Sequence, residues 1–211
     1  MTLPADKLIT INDRGARSAT AFGSLEASGG NMVFIKKLTA SSSATLSFVD
    51  GASSVVLDST YKEYLFTFKN IHNATDDKLL QMNMSVDSGS NYNVAKTTTF
   101  FHAYNAEDGS EGTFQYDANR DIAQDTGFAT ITQGVNADND QSVNGTLHLF
   151  NPSSTTFVKH FISRIAHTAG GYGRDSYAAG YGNTTSAVDA IQFKFDSGDI
   201  ESGDICLYGI L

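Results

Sequence analysis

Tryptophan is absent from the chain, cysteine occurs once and proline twice. The single thiol, Cys206, can close no intrachain disulfide and can build no thiolate zinc site. It lies in the apolar run Ile205-Cys206-Leu207-Tyr208, which reads as a strand carrying a buried structural thiol. Basic residues are also scarce. Lys and Arg number 14 against 23 Asp and Glu, a formal net charge of −9. An acidic surface repels phosphate backbones and anionic lipid, so no nucleic-acid partner and no membrane partner is expected. Lys36-Lys37 is the only basic doublet. No run is apolar enough to span a bilayer as a helix. The start, Met1 to Lys7, lacks the basic opening and apolar middle of a signal peptide, so synthesis in the cytoplasm is expected.

What the chain does contain points to strands. There are 14 Phe, 9 Tyr and 19 Gly among 211 residues, with abundant Thr and Ser. Phe, Tyr, Thr and Val favour strands, while Gly, Ser, Asn and Asp favour turns. The length suits one β domain with its own core, with or without an arm. Residues 1–30 differ from the rest: their charges are mixed and Phe22 is their only aromatic. They read as an N-terminal attachment arm, with Leu3, Ile9, Ile11, Phe22 and Leu25 as its apolar contacts and Gly29-Gly30 as a hinge. Residues 31–211 then form the β domain.

Within that domain the side chains alternate with period two. Leu46 and Phe48 share one face of a strand, as do Tyr64, Phe66 and Phe68. Leu80, Met82, Met84 and Val86 share another, followed by a turn at Asp87-Ser88-Gly89-Ser90. Thr97 to Phe101 is strongly β-prone, and short strands are expected at 113–116 and 128–132. Two hairpins stand out. One joins 146–150 to 155–165 through Asn151-Pro152-Ser153-Ser154; the other joins 191–195 to 205–210. About ten strands, turns every ten or so residues and no long helix predict an all-β fold, an antiparallel, jelly-roll-like β-sandwich.

Searches for chemistry return little. There is no GxSxG nucleophile motif and no GxxxxGK[ST] phosphate loop. The five histidines lack HExxH spacing. His148 and His160 fall on the two arms of the first hairpin, as a solvent-face or hydrogen-bonded pair, or else as a metal or pH-sensing pair. Asp138-Asn139-Asp140 and the group Asp196, Asp199, Glu201 and Asp204 offer carboxylates, but neither matches an EF-hand loop. They read as solvated loop charge. No enzyme activity, no catalytic or metal residue and no cofactor is therefore expected. One segment does suggest contact with a partner. Residues 168–186 are rich in Gly, Tyr, Ala and Ser and read as an aromatic loop. In it Tyr172, Tyr177, Tyr181 and Arg174 could meet a sugar or a protein neighbour.

Several stretches carry a family resemblance. They include Asp58-Ser59-Thr60-Tyr61-Lys62-Glu63-Tyr64, Asp87-Ser88-Gly89-Ser90-Asn91-Tyr92-Asn93-Val94 and Gly145 through Thr155. Val158 through Ser163, Gly180 through Ala187 and the terminal Leu207-Tyr208-Gly209-Ile210 add to them. Across roughly residues 32–211 the chain resembles small virion structural proteins of marine tailed bacteriophages. The resemblance implies a non-enzymatic component on the virion exterior, with capsid or tail proteins as partners and a homo-oligomeric, for instance trimeric, state. Capsid decoration or a head fibre is the favoured role. A tail-fibre or receptor-binding tip touching host glycan, or a carbohydrate-binding module, is the alternative. The missing Trp weighs against the module, because sugar platforms often use that ring.

Overall fold

The computed structural model describes residues 31–211. The expected attachment arm at 1–30, with Leu3, Ile9, Ile11, Phe22 and Leu25, lies outside the described residues.

The described residues form twelve strands. In chain order these are β1 (Met32–Thr39), β2 (Leu46–Val49), β3 (Glu63–Asn73), β4 (Leu80–Ser85), β5 (Lys96–Ala106) and β6 (Gly112–Tyr116). They continue with β7 (Ala129–Thr130), β8 (Val143–Phe150), β9 (Lys159–Ala169), β10 (Tyr172–Gly182), β11 (Ala190–Phe195) and β12 (Ile200–Ile210). Eight make one sheet in the order β1-β12-β3-β8-β9-β10-β5-β6, and four make a second in the order β2-β11-β4-β7. Every strand pairing is antiparallel. The two sheets pack as a sandwich.

The alternation seen in the sequence explains the core. Tyr64, Phe66 and Phe68 of β3 point inward, as do Met82 and Met84 of β4 and Ile191, Phe193 and Phe195 of β11. Phe193 of the small sheet meets Phe66 and Phe68 of the large one edge-on, at ring separations of 5.4 and 5.2 Å. Phe48 of β2 closes the group against both Phe66 and Phe193. Edge-to-face geometry is the favourable arrangement for such rings.

Four expectations change. Residues 172–182 are not a loop but β10, an eleven-residue strand hydrogen-bonded to β9 on one side and β5 on the other. Gly170-Gly171 makes the two-residue turn between β9 and β10, with φ of 59° and 80°. Positive φ at both positions is what the tightest hairpin turn requires, and glycine adopts it without strain. Second, β11 and β12 are not a hairpin. They lie in different sheets, and the turn through Ser197 to Asp199 carries the chain across the sandwich. Third, Val86 does not share the buried face of β4, because the strand ends at Ser85 and the alternation ends with it. Fourth, Cys206 is on a strand but only half-buried. Its neighbours across the ladder are Lys37 and Thr67, on the outer face.

Two lysines are buried without warning from the sequence. Lys159 donates to the carbonyls of Ser154, Phe157 and Thr184 at 2.6, 2.7 and 3.2 Å, pinning the connection between β8 and β9. Lys96 donates to Asn83 Oδ1 and to the Val94 carbonyl. Burial pulls its ammonium down to about 8, against a smaller opposing pull from Asp125. Both follow the rule that a buried cation must be hydrogen-bonded.

The inward positions in the second half of β10 are small: Ser176, Ala178, Gly180 and Gly182. At Gly180 an added Cβ would stand 2.4 Å from the Thr97 carbonyl oxygen and 2.9 Å from Thr98 Cα. Backbone atoms cannot turn aside as a side-chain tip can. Gly180→Ala is expected to lower stability by about 1–3 kcal/mol, the range for overpacked sites. Chemical denaturation of the two proteins checks it, and an unchanged midpoint would show that β5 has room to shift.

Candidate functional site

All four candidate contact residues lie on β10, and the pleat divides them. Successive side chains of a strand point to opposite faces. Tyr177 and Tyr181 stand on the outer face of the eight-stranded sheet, whereas Tyr172 and Arg174 stand on the inner side near the edge strand β6. The structure thus makes two surfaces where one loop was expected.

The outer face is read most simply through its register. One row of directly opposed residues runs Phe34, Tyr208, Leu65, His148, Ile162, Ala179 and Thr99, crossing seven strands. The adjoining row runs Lys37, Cys206, Thr67, Thr146, Arg164, Tyr177, Phe101 and Tyr116, crossing all eight. Cross-strand neighbours of this kind interact directly. Tyr177 stacks on Phe101 at 4.8 Å with planes 7° apart, and Phe101 meets Phe114 edge-on at 5.4 Å. The Arg164 guanidinium lies 5.2 Å from the Tyr177 ring centre on the other side. It also pairs with Asp175 at 2.8 Å. Asp175 accepts the Tyr177 hydroxyl at 2.8 Å, and that hydrogen bond raises the phenol above its ordinary range. The aromatic ladder is therefore flanked by the Arg164–Asp175 ion pair.

No second layer covers this face among the described residues. Ile162 sits mid-sheet on β9 and is 55 % exposed; Phe114 on the edge is 68 % exposed. A shallow hollow of about 490 Å³ opens between His160, Ile162 and Tyr181 over the small residues Thr97, Thr99 and Ala179.

His148 lies opposite Ile162, so His160 is set two residues along β9 from it. They form no bonded pair. His148 binds Glu63 at 2.5 Å and stacks beside Phe150; His160 packs against Tyr181. The carboxylates of the two acidic segments are likewise dispersed. Asp138 accepts from Gln141, Asp196 from the Leu79 N–H, Glu201 meets His72, and Asp204 takes Lys37 and Thr39. Among the described residues no group of three or more His, Cys, Asp and Glu is arranged to hold a metal.

The second surface is a cavity of about 320 Å³ on the inner side of β5, β6 and β10. The four-stranded sheet ends there at the two-residue β7, so polar side chains replace apolar ones. His102 of β5 bonds Gln115 of β6 at 3.0 Å, and Gln133 donates to Asp117 at 2.7 Å. Tyr172 donates to Glu111 at 2.7 Å, which raises its phenol. The Arg174 guanidinium lies 5.5 Å from the Tyr172 ring centre and makes one long bond, 3.4 Å, to the Gly134 carbonyl. Burial lowers the His102 imidazole; Asp117 opposes that, while Arg174 and Arg120 add to it. Burial pushes the Asp117 carboxyl up, but hydrogen bonds from Gln133 and Asn119 and the charges of Arg120 and His102 outweigh it and hold the carboxyl low. Tyr172 and Arg174 are candidates from the sequence; His102, Gln115, Asp117 and Gln133 carry no such signal. No spacing links these four, because they come from two strands and two loops.

Comparison with known proteins adds no relative: no family model, no curated protein and no solved structure matches the chain significantly.

Proposed function

We propose that this chain is a non-enzymatic structural protein of a tailed-phage particle, displayed on the virion exterior. In this reading the sandwich at 31–211 faces outward, residues 1–30 attach it, and the role is capsid decoration or a head fibre. The observation that carries it is the open face of the large sheet. An aromatic ladder and a mid-sheet isoleucine are left uncovered by the chain's own second sheet. Large apolar side chains left exposed together on one sheet face are a feature of interaction sites. Such a face suits a protein whose work is to pack against copies of itself or against other virion proteins. The resemblance of stretches such as Gly145 through Thr155 to marine phage virion proteins, read from the sequence alone, points the same way.

Quantitative mass spectrometry of purified particles of the encoding phage tests it. Decoration is expected to give a copy number comparable to that of the capsid subunits. About a dozen copies would instead favour a tail location, where low-order rings repeat. Absence from the particle would overturn the virion reading. Deleting residues 1–30 is expected to leave a cooperatively folded sandwich that no longer joins particles. Loss of the cooperative melt would show that these residues belong to the core.

A further inference from the structure

The cavity beneath β10 contains polar groups that no other described residue satisfies. His102 is 4 % exposed, yet its Nδ1 has no hydrogen-bond partner among the described residues. Arg174 Nε is buried and also unpartnered, and its other bond is the long one to Gly134. Leaving buried donors unpaired is costly, and native proteins rarely do so without a reason. Around these atoms stand planar polar side chains, the amides of Gln115 and Gln133 and the carboxylates of Glu111 and Asp117. Tyr104 and Tyr172 add an aromatic wall, with rings 5.5 Å apart and nearly perpendicular.

We infer that this cavity binds a neutral sugar, most simply a terminal monosaccharide of a glycan. Three properties of the lining select that class. A sugar hydroxyl donates once and accepts twice, so it needs donors and acceptors side by side. Here Arg174 and the amide nitrogens donate, while Glu111, Asp117 and the amide oxygens accept. The tyrosine wall offers an apolar surface for the C–H face of the ring, with polar handles at its edge. One arginine stands against two carboxylates in the lining, so a phosphate or a sulfated ligand gains no net attraction. The volume is at the low end for small-molecule sites, about 300–1,000 Å³, which fits a chain end better than a chain.

This site is separate from the open face and does not depend on the virion reading. It also differs from the four-residue contact surface expected from the sequence. Tyr172 and Arg174 belong to it, while Tyr177 and Tyr181 do not.

Saturation-transfer NMR on the full chain tests it, with methyl glycosides of the common hexoses and N-acetylhexosamines as probes and a sialoside as the anionic comparison. Transfer to ring protons of at least one neutral glycoside is expected. Tyr172→Ala and Gln115→Leu, each checked for an unchanged thermal melt, are expected to weaken that binding at least tenfold. Tyr177→Ala, on the other face, is expected to leave it within twofold. Three results would overturn the proposal: no neutral glycoside bound at up to ~10 mM, binding of the sialoside alone, or binding that Tyr177→Ala abolishes and Tyr172→Ala spares.

Discussion

Phe193→Ala is expected to destabilise the fold by about 3–5 kcal/mol, the range for truncating a buried aromatic. The ring is fully buried at the centre of β11 and touches three other phenylalanines. Two of those, Phe66 and Phe68, belong to the opposite sheet. Truncation therefore loses the transfer energy of the ring and leaves a cavity between two rigid layers. Sheets held by continuous ladders cannot easily move together to fill it, so the upper part of the range applies. Typical domains hold only about 5–15 kcal/mol in reserve, so the variant should unfold at a much lower denaturant concentration. Guanidinium melts followed by far-ultraviolet circular dichroism measure the difference. A loss under about 1 kcal/mol would mean that the inter-sheet cluster repacks freely. By contrast, Phe114→Ala on the exposed edge should change stability little, because its ring is mostly in water.

The contrast between these residues shows what could be read from the sequence. The alternation Tyr64, Phe66, Phe68 and Ile191, Phe193, Phe195 marks buried faces without a structure. A large apolar residue at every second position has only one place to go. Alternation does not say which sheet a strand joins, so β11 and β12 looked like one hairpin. β10 was hidden for the opposite reason. From Ser176 onward its inward residues are Ser, Ala and Gly and its outward ones include two tyrosines, so the usual pattern is inverted there. Packing between β9 and β5 overrides the weak strand preference of those small residues. The Gly170-Gly171 pair is a legible hairpin signal, and a strand that follows it sets Tyr172 and Tyr177 on opposite faces. The buried lysines had no signal at all. Each is tolerated only because carbonyls from separate segments converge on it.

Acid is expected to weaken the protein through His167, on the order of 3 kcal/mol between pH 6.5 and about 4. His167 points inward from β9 and is 4 % exposed. Burial pulls its imidazole from 6.5 down to about 4; Arg174, directly opposite on β10, and His102 add to that, while the Gly134 backbone and Asp175 oppose it. Neither ring nitrogen makes a well-formed hydrogen bond among the described residues, and the Gly134 backbone and Asp175 offset the cost of a charge there only in part. Above pH 6.5 the ring is neutral in both the folded and the unfolded chain, and it imposes no penalty. As pH falls from 6.5, the unfolded chain takes up a proton that the folded chain refuses, and stability drops. Near pH 4 the folded ring is protonated too, and the loss stops growing. His102 shifts in the same direction and adds to the slope, so the parent protein alone does not isolate one group. His167→Leu does isolate it: the side chain is similar in bulk and cannot titrate. Denaturant melts of both proteins at intervals from pH 7 to 4 should show the parent falling more steeply, with the two curves diverging across that window. Parallel curves would show that His167 is protonated as readily in the folded chain as in the unfolded one.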